Sequence, residues 1–235
     1  DKEFRLALSN TFIFFLVQVP IMITLALALA SILNSPKIKL RGFFRTAIFL
    51  PAVTSLVAYA VLFKMLFSYD GLVNQVLMLL PFVQEPIQWL RDPFWGKVTV
   101  ILALTWRWTG YNMVFYLAAL QNVPAEMYEA AELDGANKIQ QFFFITIPSI
   151  KPIILFTAIM STIGTLQLFD EPMNLTSGGA SSATFTGTLT LSQYIYNLSF
   201  KYVPNFGYAA TISYVIVLLV AILALIQFKV AGDEK

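Results

Sequence analysis

Long apolar runs with almost no charge constrain this chain more than any other feature. A helix needs roughly 20 largely apolar residues to cross the hydrocarbon of a bilayer. Residues 10–33 form such a run, interrupted mainly by Gln18, Thr24 and Ser31, and similar runs fall near 46–67, 98–120, 150–169 and 207–228. The hydrophobic fraction is 58% and the charged fraction 12%, against about 45–50% and 25% for soluble domains. The expected fold is therefore all-α: a polytopic membrane protein with about five transmembrane helices, residues 1–235 forming one transmembrane domain. Pro20 lies inside the first run, where the carbonyl it frees needs another donor, so a kink is expected. Lys64, near the end of the second run, reads as an anchor that snorkels to the interface.

Cys and His are both absent. Disulfides, thiol chemistry, the usual zinc and haem ligands and His-based acid–base catalysis are thereby excluded. No Gly-rich loop ending in Lys-Ser/Thr is present, so the chain does not bind ATP in that way. No catalytic residue, no metal ligand and no cofactor is assigned to it. A net charge of +2 gives no reason to expect a nucleic-acid partner. Between the first two runs, Lys37, Lys39, Arg41 and Arg45 stand without a single acid. The positive-inside rule puts this loop in the cytoplasm; a lipid-headgroup anchor would place it on the same side.

The third run carries a charge at its centre: Arg107, between Trp106 and Trp108 and followed by Thr109, Gly110, Tyr111 and Asn112. An intramembrane Arg faces a bundle interior or a watery cavity far more often than lipid. Gly110 suits a bend or the close approach of a ligand. The fourth run is loosened by Ser161, Thr162, Gly164, Thr165 and Gln167, a polar composition tolerated at depth where a span lines a cavity. Short interfacial helices are expected near 73–83 and 189–200, and a flexible polar segment begins at Leu175.

Residues 124–148 are polar enough to leave the bilayer and patterned enough to fold. Pro124 suits the first turn of a helix. Glu126, Glu129 and Glu132 follow at i, i+3 and i+6, near the positive end of the helix dipole. Gly135, after Asp134, reads as the left-handed residue that ends the helix. A second short helix over 136–144 is expected to run into Pro148. The small residues Ala130 and Ala131 let a groove approach closely, so the hairpin reads as a docking knob.

Glu129-Ala130-Ala131, three residues, Gly135, nine residues, Ile145, one residue, Ile147-Pro148 resembles the "EAA" signature of permease subunits in binding-protein-dependent ABC importers. That signature usually ends Ile-x-Leu-Pro, and Ile147 replaces the Leu. LRGFFRT (40–46), FLP (49–51), WTGYNM (108–113), QLFDEP (167–172) and LTSGG (175–179) resemble the sugar-importing branch, of the maltose, lactose and glycerol-phosphate type. Members usually carry one more helix before the first span, and the Met-less start here fits its loss. The resemblance implies a bacterial or archaeal cytoplasmic membrane location and a heterodimer with a second, homologous permease. It also implies a pair of cytoplasmic ATPase subunits, which bind ATP and Mg, and an extracytoplasmic solute-binding protein that delivers a sugar or polyol. The hairpin, with Glu126, Glu129, Ala130, Ala131, Asp134, Gly135, Ile145 and Pro148, would be the ATPase-coupling element. Substrate contacts would come from Trp106, Arg107, Thr109, Gly110 and Met113, with Ser161, Gly164, Thr165, Gln167 and Leu168.

An ion-coupled secondary transporter is the alternative from another class, but it calls for a buried acid or His and a repeat, and no acid lies as deep as Arg107. A membrane enzyme would need a nucleophile–base pair or a metal cluster. The topology has a direct test. In the full-length protein, a cysteine at position 35 should be labelled only from the cytoplasm and one at position 177 only from outside. Outside-only labelling at position 35 would invert the topology.

Overall fold

The structure is a computed structural model that describes every residue except 36, 37, 82, 177–185 and 233–235. Lys37, the segment from Ser177 to Gly179 and the terminal Asp233, Glu234 and Lys235 thus lie outside the described residues. Among the described residues there are helices and no strands. The long helices are α1 (Lys2–Asn34), α5 (Pro93–Leu120), α9 (Lys151–Leu166) and α12 (Phe206–Gly232). Between them lie α2 (Arg41–Val53), α3 (Leu56–Leu66), α4 (Leu72–Leu77), α6 (Ala125–Leu133), α7 (Lys138–Gln141), α8 (Ile147–Ser149), α10 (Asp170–Leu175) and α11 (Leu191–Tyr196). Two π-helical turns, Phe142–Thr146 and Asn197–Lys201, continue α7 and α11.

α1 starts well before residue 10 and is assigned as one helix through Pro20, with the Thr24 hydroxyl donating to the Pro20 carbonyl at 2.7 Å. The expected span 46–67 is instead two helices, α2 and α3, broken at Thr54 and Ser55. Among the described residues two helices, α1 and the Phe206–Val230 stretch of α12, are long and apolar enough to cross a membrane alone; counting each broken pair as one span raises this to four. α5 is long enough, and its polar middle around Arg107 and Asn112 keeps it out of that set.

The chain divides into two compact units. The first takes residues 1–19, 54–105 and 162–223. Its core joins Ala7 of α1, Leu166 of α9, Leu189, Leu191, Tyr194 and Leu198, and Ala209, Ile212 and Ile216 of α12. Within it α10 packs on α3. Asn74 organises the loop after α3: its amide donates to the Ile87 carbonyl at 2.9 Å and its oxygen accepts from the Trp89 indole at 2.9 Å. The helix expected near 189–200 is present, but Leu191, Gln193 and Tyr194 are buried in this unit, not spread on an interface.

The second unit takes residues 20–53, 106–161 and 224–235. Ala26, Leu27, Ala30 and Leu33 of α1 pack with Met113, Tyr116, Leu117 and Leu120 of α5 and with Ile150. Tyr116 and Thr157 share a buried hydroxyl hydrogen bond of 2.6 Å. α2 closes on α5 at Gly110, where an added Cβ would stand 2.0 Å from the Ile48 carbonyl oxygen. The close approach expected at Gly110 is therefore made by the α2 backbone, and the glycine serves helix packing. Gly110→Ala should destabilise the protein by at least the ~1–3 kcal/mol of an overpacked site, read as a lower Tm of the purified protein. An unchanged Tm would refute this contact.

Candidate functional site

The hairpin lies wholly within the second unit. α6 ends in a complete Schellman turn: Ala136 N–H donates to the Ala131 carbonyl at 2.8 Å and Gly135 N–H to the Glu132 carbonyl at 3.1 Å. Gly135 has φ 82°, the left-handed conformation this motif requires. The next helix opens on a capping box, with Gln140 N–H donating to Asn137 Oδ1 at 2.9 Å and Asn137 N–H to Gln140 Oε1 at 2.8 Å. A bend of 74° follows before α9. The second arm is thus not the single helix expected over 136–144, because α7 widens into a π turn after Gln141.

Two struts hold the arms together. Tyr128 and Thr146 are joined through their hydroxyls at 3.1 Å, and Lys138 forms an ion pair with Glu132. Glu126, Glu129, Ala130, Asp134, Gly135 and Pro148 are exposed, and Ala131 and Ile145 are half-buried. Sequence reasoning singled out these residues and passed over the large apolar side chains that stand exposed. Leu133 is 90% exposed and Phe144 79%, with Ile139 and Phe143 also open. The available signal was a Phe triplet in a hairpin otherwise too polar to bury it.

The expected substrate-path residues fall in both units, and each set stands by itself. In the second unit Trp106 is exposed and Arg107 half-buried, its guanidinium 5.4 Å from the Trp108 ring centre. The Thr109 hydroxyl is buried with no hydrogen-bond partner among the described residues. Met113 is fully buried in the core beside Ala26 and Ala30, so its side chain packs helices together. Ser161 is half-buried. In the first unit Gly164 and Gln167 are exposed, and open space faces Gly164. Thr165 is buried and donates to Gln18 Oε1 at 3.2 Å, a contact between α9 and α1. Leu168 is buried, and its carbonyl accepts from the Thr190 hydroxyl at 2.6 Å.

Residues 8–231 match the family described as binding-protein-dependent transport system inner membrane component. The chain belongs to this family. The permease is 60% identical over 235 residues to the lactose transport system permease protein LacF of Rhizobium radiobacter, covering all of this chain and 78% of that one. Its fold is similar to that of a bacterial ABC transporter involved in the import of the acidic polysaccharide alginate. There the TM-score is 0.83 at 23% identity, over 100% of this chain and 81% of that chain. It is also similar to a bacterial alginate ABC transporter solved with its alginate pentasaccharide-bound periplasmic protein. That match has a TM-score of 0.79 at 25% identity, over 98% of this chain and 77% of that chain. Family membership separates the permease from ion-coupled carriers.

An added Cβ at Gly135 would meet nothing within 4 Å, so the effect of a substitution there is conformational and not steric. Gly135→Ala should destabilise the turn by about 1–2 kcal/mol, seen as faster amide exchange at residues 131–137 with α1 and α12 unaffected. Unchanged exchange would mean that the Schellman turn does not hold the hairpin.

Proposed function

We propose that the permease forms half of the translocation pathway for a sugar or related polyol and lies as a five-span protein in a bacterial or archaeal cytoplasmic membrane. A solute-binding protein delivers the substrate, a second permease completes the pathway, and a separate ATPase pair drives it. The observation that carries this reading is the similarity of this whole chain to 78% of a lactose permease. The five spans are those near 10–33, 46–67, 98–120, 150–169 and 207–228, the second of them broken at Thr54 and Ser55.

The hairpin is the coupling element in this reading. Leu133, Ile139, Phe143 and Phe144 are exposed around a turn fixed by its own hydrogen bonds. Burying a Leu or Phe side chain is worth about 1.5–3 kcal/mol, so a partner groove gains from covering them. Glu126 and Glu129 sit in the first turns, where carboxylates stabilise the helix. ATP shifts the transporter between states only through its differential affinity for them, and the hairpin hands that shift to the spans. In the pathway, Trp106 and Arg107 offer stacking and hydrogen bonding to a polyol. The Thr109 hydroxyl, buried with no partner among the described residues, supports a place for α5 on the path; taken by itself, the open face at Gly164 and Gln167 supports one for α9.

The test is uptake into liposomes by the complex assembled from both permeases, the ATPase and the binding protein, over a panel of disaccharides and polyol phosphates. ATP-dependent uptake of a sugar is the expected result, and uptake driven by an ion gradient without ATP would overturn it. Leu133→Ser with Phe144→Ser should reduce co-purification of the ATPase at least tenfold, as two lost apolar contacts imply. Normal co-purification and uptake in that variant would remove the hairpin from the coupling role.

A further inference from the structure

The segment that opens α2 is not absorbed by the transport reading. Leu40 has φ 57°, a left-handed conformation in a residue other than glycine, and its side chain is 74% exposed. Phe43 and Phe44 follow one helical turn on, 67% and 44% exposed, with ring centres 5.8 Å apart. Leu40 precedes the helix and its carbonyl accepts from Phe44 N–H at 3.2 Å, so the three exposed apolar side chains crowd the start of α2. Lys39 and Arg41 are exposed beside them. Arg45 ties the segment to the end of α1 by donating to the Leu33 carbonyl at 3.0 Å, and its Nε is buried with no partner among the described residues.

We propose that Lys39, Leu40, Arg41, Phe43, Phe44 and Arg45 form a binding surface for anionic phospholipid. The cations meet the headgroup phosphates and the apolar side chains enter the upper acyl region. The occupant is chosen by charge complementarity: Lys39, Arg41 and Arg45 stand in a stretch of sequence that carries no carboxylate between Glu3 and Asp70. Basic residues alternating with exposed aromatics next to a span suit an acidic leaflet surface. A backbone held left-handed at Leu40 keeps that side chain outward, where in water it would gain nothing. The inference rests on the membrane placement proposed above, and lipid counts can be measured without substrate or ATP.

The whole transporter complex would be reconstituted in nanodiscs of phosphatidylcholine mixed with an equal amount of phosphatidylglycerol, and retained lipids counted by native mass spectrometry. The native complex should retain phosphatidylglycerol preferentially. Lys39→Gln with Arg41→Gln should reduce that preference by roughly fivefold for each cation removed, with assembly unchanged. Phe43→Ser, which keeps every charge, should lower retention of both lipids while leaving their ratio alone. A native complex without preference, or the same ratio in native and double variant, refutes the proposal. So does a double variant that sheds the ATPase with its lipid ratio unchanged, because the surface would then be a protein contact. Loss of sugar uptake with lipid selectivity intact would count against the transport reading and not against this one.

Discussion

A backbone group with no hydrogen-bond partner costs several kcal/mol in hydrocarbon, and this chain is organised around meeting that demand. Helices supply most of the bonds. Several threonines within the apolar helices bond back to the same helix. Thr11 donates to the Ala7 carbonyl at 2.8 Å, Thr99 to Trp95 at 2.9 Å, Thr157 to Ile153 at 3.0 Å and Thr211 to Gly207 at 2.9 Å. A hydroxyl satisfied four residues back can face apolar neighbours without a large desolvation penalty. Serine and threonine at depth are therefore weak evidence for a cavity.

That physics explains where sequence reasoning over-read the pathway. Thr165 looked like a group that needs water or ligand, yet it closes a contact with Gln18. Met113 and Gly110 flank a polar motif and so looked like pathway residues. One fills the space between α1 and α5, and the other lets the α2 backbone approach to a distance that excludes any Cβ. Neither role has a signature in a single sequence, because both depend on which helix lies opposite. Thr109 differs: its buried hydroxyl lacks a partner among the described residues, and burial alone gives no reason for a threonine there.

Local chemistry was far more legible. Helical class followed from run length and composition. The end of α6 followed from Gly135, because a Schellman turn is decided within six residues and the left-handed position selects glycine. The break at Thr54 and Ser55 was not legible. Pro51 sits inside α2, and nothing at 54 or 55 is a helix breaker by type. The π turn after Gln141 was equally hidden, since Phe142, Phe143 and Phe144 read as ordinary helix. Such turns shift the register of everything that follows, which rotates the Phe triplet relative to α7 and leaves Phe143 and Phe144 open.

The hairpin and the middle of α5 belong to one compact unit, and that bears on how a push at the hairpin would travel. Phe142 and Val123 pack against the cluster that holds Tyr116, Leu117 and Leu120. Tyr128 braces α6 against the π turn, and Tyr116 is tied to Thr157 of α9. Displacing the turn at Gly135 without moving α5 would open the apolar contacts that Val123 and Phe142 make with that cluster. Moving the group as a body keeps them. A short, self-bonded hairpin packed on this cluster would therefore move with its unit and not as a flexible loop. Leu40 stands where a non-glycine residue pays about 1–2 kcal/mol for its left-handed backbone. The Arg45 contact with the end of α1 then holds the start of α2, and with it the α2 backbone against Gly110, in the same unit.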